Sequence, residues 1–211
     1  MTQITDSSGR RVAELLTHLT RMTYGNGFVE NLTPAQWTAL RYFSRANRFS
    51  RTPSAFAEFH GTTRGTASQT IKSLIAKRYL VQKRSKTDGR RILIEFTDKA
   101  REALSNDPFE TLVEAVGALP PSARGLLTNA LERILGYVAL ERAKRPFGTC
   151  TSCEHLLGDG CCQEGQPPYE CFFYDEPLAA AELELLCINY EPGKASAMKR
   201  TFKGGGPHLA S

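Results

Sequence analysis

Between Thr33 and Thr97 the hydrophobic period of the chain changes in a fixed order, from helical spacing to strict alternation, and few folds accept that order in so short a span. Thr33-Pro34-Ala35-Gln36 reads as a helix start, with Thr33 as the cap, Pro34 in the first turn and Gln36 closing a capping box. That helix carries Trp37, Leu40 and Phe43 on one face and runs to about Asn47. Thr52-Pro53 opens a shorter helix, Ser54 to Phe59, whose buried side is expected to be Ala55, Phe56 and Phe59. Gly61 supplies a turn with positive φ. Thr62 or Thr63 then caps a helix reaching about Arg78, with Ala67, Ile71, Leu74 and Ile75 inward. From Leu80 to Thr97 the pattern becomes a hairpin, centred on Asp88-Gly89. Two short helices joined by a glycine turn and followed by a hairpin make a winged helix-turn-helix.

The charge follows the same order. From Thr62 to Arg91 there are nine Lys and Arg against one acid, Asp88. The N-terminal end of the second helix presents Arg64, Thr66, Ser68, Gln69 and Lys72, side chains suited to base edges and phosphates of double-stranded DNA. The hairpin tip carries Lys83, Arg84, Lys86, Arg90 and Arg91, as a wing that follows the DNA backbone requires, and Asp88 can orient a neighbouring arginine. A charge run by itself is usually a solvated face; here it coincides with the motif.

Around this core lie further helices. Arg10 to Thr23 has one apolar face of Val12, Leu15, Leu16, Leu19 and Met22. Asp98 to Gly117 and Ser122 to Arg145 are two helical segments, separated by Pro120-Pro121, and Pro146 ends the second. The stripe Leu126, Leu127, Ala130, Leu131, Ile134, Leu135, Val138 and Leu140 is wider than one buried face requires. The expected fold class is mainly α with a small β-wing: a winged helix-turn-helix, a helical dimerisation region and a small metal-binding C-terminal module. The expected organisation is residues 1–146 for DNA binding and dimerisation, 147–192 for the cysteine module and 193–211 for a flexible tail.

From about Leu32 to Leu104 the chain resembles the MarR family of bacterial regulators. The resemblance rests on Ser54-Ala55-Phe56-Ala57, on the helix Thr62 to Lys77, and most specifically on Arg84-Ser-Lys-Thr-Asp88-Gly-Arg90 running into Phe96-Thr97-Asp98. It implies a homodimer, with the N-terminal helix and the last two long helices forming the two-fold interface. A two-fold dimer reads half-sites about one helical turn apart. Gly65, inside the second helix, departs from the pattern and weakens the helix start by about 1 kcal/mol.

All six cysteines fall in Cys150-x2-Cys153-x7-Cys161-Cys162-x8-Cys171-x15-Cys187, a segment with no Lys or Arg and nine acids between Cys150 and Pro192. The start of the chain is polar, without a signal-peptide core, and no stretch is long and apolar enough for a membrane helix, so a cytoplasmic protein with reduced thiols is expected. A CxxC pair lets two thiolates converge on one metal. Structural zinc more often uses two such pairs, whereas an iron–sulfur cluster takes four thiolates at wide spacing. Cys150, Cys153, Cys171 and Cys187 resemble, in spacing only, the ligand order of high-potential iron–sulfur proteins. The favoured cofactor is a 4Fe-4S cluster on these four, with 2Fe-2S or zinc as alternatives and Cys161, Cys162 or His155 as substitute ligands. The acids read as a solubilising surface, and most of the neighbouring aromatics as packing. The function expected is sequence-specific regulation of transcription modulated by the cluster through redox, iron or gas sensing, the change being passed along the long helix that precedes the module. The alternatives are a small-molecule regulator with structural zinc and, remotely, a thiol or metal enzyme. An enzyme lacks support: no catalytic constellation stands out, and a reactive cysteine would need a basic neighbour.

Overall fold

In a computed structural model the structure describes residues 7–24, 31–84, 92–158 and 169–193. The helices are α1 (Ser7–Tyr24), α2 (Pro34–Arg45), α3 (Pro53–Phe59), α4 (Arg64–Ala76), α5 (Asp98–Ser105), α6 (Glu110–Gly117) and α7 (Pro121–Glu141). The strands β1 (Leu80–Arg84) and β2 (Ile92–Phe96) pair antiparallel, Leu80 opposite Phe96 and Arg84 opposite Ile92. Mainly helical with a small antiparallel wing, this is the fold class the sequence predicts.

Local chemistry places each start. Thr33 caps α2 with the full capping box: Gln36 N–H donates to Thr33 Oγ1 at 3.3 Å and Thr33 N–H to Gln36 Oε1 at 2.9 Å. Thr52, Thr63 and Thr97 cap α3, α4 and α5, their side-chain oxygens accepting the backbone N–H of Ala55, Thr66 and Ala100. Gly61 has φ +62° and turns the chain from α3 into α4. Trp37, Leu40 and Phe43 of α2, Phe56 of α3, Ile71 and Leu74 of α4, Leu80 of β1 and Ile94 of β2 then share one buried core. Phe59 departs from expectation. It is 38% exposed, lying against Tyr42 and edge-on to Phe147, at 4.9 Å between ring centroids in each case, while Ala57 takes the buried position on α3.

The helical segment expected from Asp98 to Gly117 is two helices. Pro108 lacks the N–H that a continuing helix needs and its ring disfavours helical backbone at Asp107. Asp107 is instead buried, accepting the Phe109 N–H at 2.9 Å and the guanidinium fork of Arg41. Neither α6 nor α7 contributes a buried residue. On α7, Leu126 and Leu140 are 73% and 77% exposed, and Val12, Leu15, Leu19 and Met22 of α1 are also open to solvent. Among the described residues no helix is long and apolar enough to cross a membrane.

Beyond α7 the chain forms β3 (Gly148–Thr149), β4 (Leu156–Leu157), β5 (Tyr169–Cys171), β6 (Glu176–Leu178) and β7 (Leu186–Cys187). β3 pairs with β7, and β4, β5 and β6 form a three-stranded antiparallel sheet. Gly148 is required there by close approach: a Cβ would lie 2.6 Å from the Tyr190 ring. Gly193, assigned to the tail from sequence, donates its N–H to Ser152 O at 3.0 Å; residues 194–211 lie outside the described residues.

Removing one member of a buried ion pair strands the other. Arg41→Ala is expected to lower stability by about 3 kcal/mol, read from urea denaturation, because it leaves Asp107 buried with its charge uncompensated. A loss below about 1 kcal/mol would mean the pair acts as a surface bridge.

Candidate nucleic-acid interface and thiol pocket

Two sites emerge on opposite chemical principles, one exposed and basic, the other enclosed and rich in sulfur. In α4, Ala67, Ile71 and Leu74 point inward, so the other side of the helix is offered to solvent. Arg64, Gln69 and Lys72 are exposed there and Ser68 is half-buried. Arg64, Ser68 and Lys72 share a stripe four residues apart. Thr66 is exposed, but its hydroxyl is shared with Thr63 Oγ1 at 2.9 Å and so belongs partly to the helix cap. Gly65 leaves the helix start intact, its N-cap bond being Thr66 N–H to Thr63 Oγ1 at 3.1 Å. On the wing, Arg84 is exposed at the end of β1, while Lys83 forms an ion pair with Glu95 across the hairpin. Lys86, Asp88, Arg90 and Arg91 lie outside the described residues.

The second site is built by one tight turn and the ends of two strands. Cys150 sits in a short 3-10 turn, Cys150–Ser152, and the N–H of Cys153 donates back to Cys150 O at 3.0 Å, which folds the CxxC into a tight loop. Cys171 ends β5 and Cys187 ends β7. All four line one small enclosed pocket, although 15 residues separate the last two in sequence. Cys161 and Cys162 fall outside the described residues. His155 lines the same pocket; its buried Nε2 has no hydrogen-bond partner and stands 3.8 Å from Glu191 Oε2. Glu154, His155 and Glu191 are, among the described residues, the one set of three or more possible ligands whose atoms all lie within 4.8 Å of one another.

The pocket wall opposite the cysteines comes from the winged helix. Asn47 and Phe49, in the turn between α2 and α3, line it. Sequence reasoning missed this turn because neither residue stands in a motif. Phe49 stacks on Tyr174 with ring centroids 3.8 Å apart, and the Arg48 guanidinium donates to Pro177 O at 2.6 Å beside Glu176 and Glu182. Two of the segment's acids are thus used in docking as well as in solvation. Of the aromatics, Tyr174 and Tyr190 pack, whereas Phe172 and Phe173 are exposed.

Cys150 is 7% and Cys187 6% exposed. Burial, reinforced by the neighbouring sulfurs of Cys187, Cys171 and Cys153, pushes the Cys150 thiol up from 9.0 to about 12. Burial likewise raises Cys187, opposed by hydrogen bonds from the Asn47 side chain and the Asn189 backbone. These groups are held as neutral thiols unless a cation compensates their charge, the electrostatic setting in which metal uptake displaces protons. The folded chain therefore holds the Cys150 proton more tightly than the unfolded chain. That contribution to stability is complete below pH 9 and is lost as pH rises toward 12. Thermal melts of metal-free protein should show Tm falling over this window, and Cys150→Ser should flatten the fall; an equally steep fall in the variant would assign it to other groups.

Residues 30–91 match the family model of the MarR family. No curated protein sequence matches the chain. Among solved structures, the fold is similar to a MarR protein from Peptoclostridium difficile (TM-score 0.53, 19% identity, covering 67% of this chain and 94% of that one). It is also similar to the transcriptional regulator SlyA (TM-score 0.51, 17% identity, 64% and 96%) and to the transcriptional regulator BldR from Sulfolobus solfataricus (TM-score 0.50, 21% identity, 65% and 99%). About a third of this chain has no counterpart in each of them. Residues 30–91 thus match the MarR family model, and the fold is similar to that of MarR-type winged-helix proteins.

Proposed function

We propose that the protein is a homodimeric regulator that binds double-stranded DNA in a sequence-specific way, with an affinity set by a metal centre on Cys150, Cys153, Cys171 and Cys187. The observation that carries this reading is the meeting of four thiols in one pocket whose far wall is the turn feeding the helix-turn-helix. The reading face is α4, with Arg64, Thr66, Ser68, Gln69 and Lys72, together with the wing residues Arg84, Lys86, Asp88, Arg90 and Arg91. The exposed apolar side chains of α1 and α7 support a second copy as the cover for those helices, since a patch of that kind is rare on a monomer.

A 4Fe-4S cluster is the favoured occupant. Structural zinc more often uses two CxxC pairs, whereas this segment has one, with Cys171 and Cys187 following at wide spacing. Amide N–H donors to a ligating sulfur, as Asn47 and Asn189 supply to Cys187, are a recognised means of tuning such a centre.

Anaerobic purification tests the centre directly. Iron and acid-labile sulfide in equal amounts, with visible absorption, are expected, and both should disappear in the Cys150→Ser and Cys187→Ser variants; a colourless protein carrying one zinc would overturn the cluster. Sites selected from random duplexes then serve for fluorescence anisotropy with loaded and metal-stripped protein. Equal affinities of the two forms would end the regulatory reading. Gln69→Ala should cost about 1–3 kcal/mol on the selected site and relax its sequence preference. Lys72→Ala should weaken all sequences alike and lower the salt slope by about one.

A further inference from the structure

The cysteine segment closes on itself at its two ends. Cys153 and Pro192 form an antiparallel bridge, the Glu154 N–H donates to Glu191 O at 2.9 Å, and the Gly193 N–H donates to Ser152 O at 3.0 Å. This short ladder sets Glu154 opposite Glu191, so two exposed carboxylates stand beside each other. Like charges directly opposite one another destabilise a strand pair. Nothing nearby in sequence offsets them, since no Lys or Arg occurs between Cys150 and Pro192. Among the described residues, the one side chain that pairs with either glutamate is His155.

His155 stands next to Glu154 in the chain and is held in place by its surroundings. The Phe172 N–H donates to His155 O at 2.9 Å, and the imidazole lies against the Phe173 ring with centroids 5.3 Å apart. Its Nε2 is buried and has no hydrogen-bond partner, because Glu191 Oε2, at 3.8 Å, is beyond hydrogen-bond reach. A buried ring nitrogen left in this state costs free energy until something binds it. Two uncompensated carboxylates and one orphaned imidazole nitrogen, all with ligand atoms within 4.8 Å of one another, lack the same thing: a cation. Two ligands at about 2.1 Å on opposite sides of one ion stand about 4.2 Å apart, so a small rotation of the exposed glutamates completes the set.

We propose that Glu154, His155 and Glu191 form a second cation site, at the edge of the thiol pocket, for a first-row divalent ion of the Mn²⁺ or Fe²⁺ class. The donor set selects the class. Carboxylate oxygens suit Mn²⁺, imidazole suits Fe²⁺, and neither donor is the soft thiolate that fills the neighbouring pocket. The exposure of both glutamates leaves the remaining coordination positions to water. Because Glu154 and Glu191 lie at the start and the end of the cysteine segment, the bound ion staples the two ends together. This site stands whether or not the thiols carry a metal.

Mn²⁺ binding to the full-length protein, followed by electron paramagnetic resonance and by thermal melts, tests the site. One Mn²⁺ per chain is expected, with a Tm that rises as the ion is added. Glu154→Gln and Glu191→Gln keep the shape of each side chain and should each weaken binding by at least about tenfold and remove the rise in Tm. Glu184→Gln, at an exposed acid of the same segment outside the set, should leave both unchanged. In proton spectra the His155 ring signals should broaden at lower Mn²⁺ than those of His18 and His60. No Mn²⁺ bound at millimolar ion overturns the site. So does an equal loss in Glu184→Gln, which would assign the ion to a diffuse acidic surface, or a His155 signal that stays sharp while Mn²⁺ binds. Mn²⁺ that is lost on replacing the cysteines by Ser but kept in both glutamine variants places the ion among the thiols and overturns it as well. The iron content of Glu191→Gln is read in parallel and should match wild type, so this site and the thiol centre fail separately.

Discussion

The turn between α2 and α3 is where this molecule is held together as one object. Six residues, Ala46 to Arg51, satisfy backbone groups of β7, stack Phe49 on Tyr174, set Arg48 among the acids of the cysteine segment and anchor the wing strand at Ile94. Each tie alone is modest, about 1 kcal/mol for a typical internal hydrogen bond. Together they tie a connection between two helices to the cysteine segment and to the wing. Because Ser50 and Asn47 are buried by this docking, the turn needs the cysteine segment to complete its hydrogen bonds, and the thiol pocket needs the turn for its wall.

The electrostatics follow from the same contact. The basic side chains of α4 and β1 are exposed to solvent, and of the arginines in the turn Arg48 is spent on Glu176 and Glu182. Burial in this contact raises the Cys150 and Cys187 thiols.

Local signals in the sequence were strong wherever a single residue type decides backbone geometry. The caps at Thr33, Thr52, Thr63 and Thr97, the positive φ of Gly61, the inward faces of α2 and α4 and the hairpin strands are all found where periodicity and capping chemistry place them. The break at Asp107-Pro108 was legible in principle, since proline was there to be read. The burial of Asp107 was not, because it depends on Arg41, 66 residues away in sequence. Phe59 was misplaced for a similar reason: the three residues of a short helix that face inward depend on what covers its end, here Phe147.

The cysteine spacing shows the limit most clearly. By composition and motif alone the chain declares a winged helix, a run of basic residues along it, broad apolar stripes on its flanking helices and a cluster of cysteines. Each of these is a property of neighbouring residues, so short-range sterics, hydrogen bonding and charge are enough to specify it. Only the tertiary structure brings Cys171 and Cys187 to Cys150 and Cys153, and only it puts Asn47 beside Cys187 rather than leaving the cysteine segment to hang from α7. That choice is made by long-range pairing, in which a buried strand must satisfy its N–H and C=O groups on whatever surface offers complementary ones. The surface that does so is a turn more than a hundred residues earlier in the chain, and no local pattern in either segment announces the other.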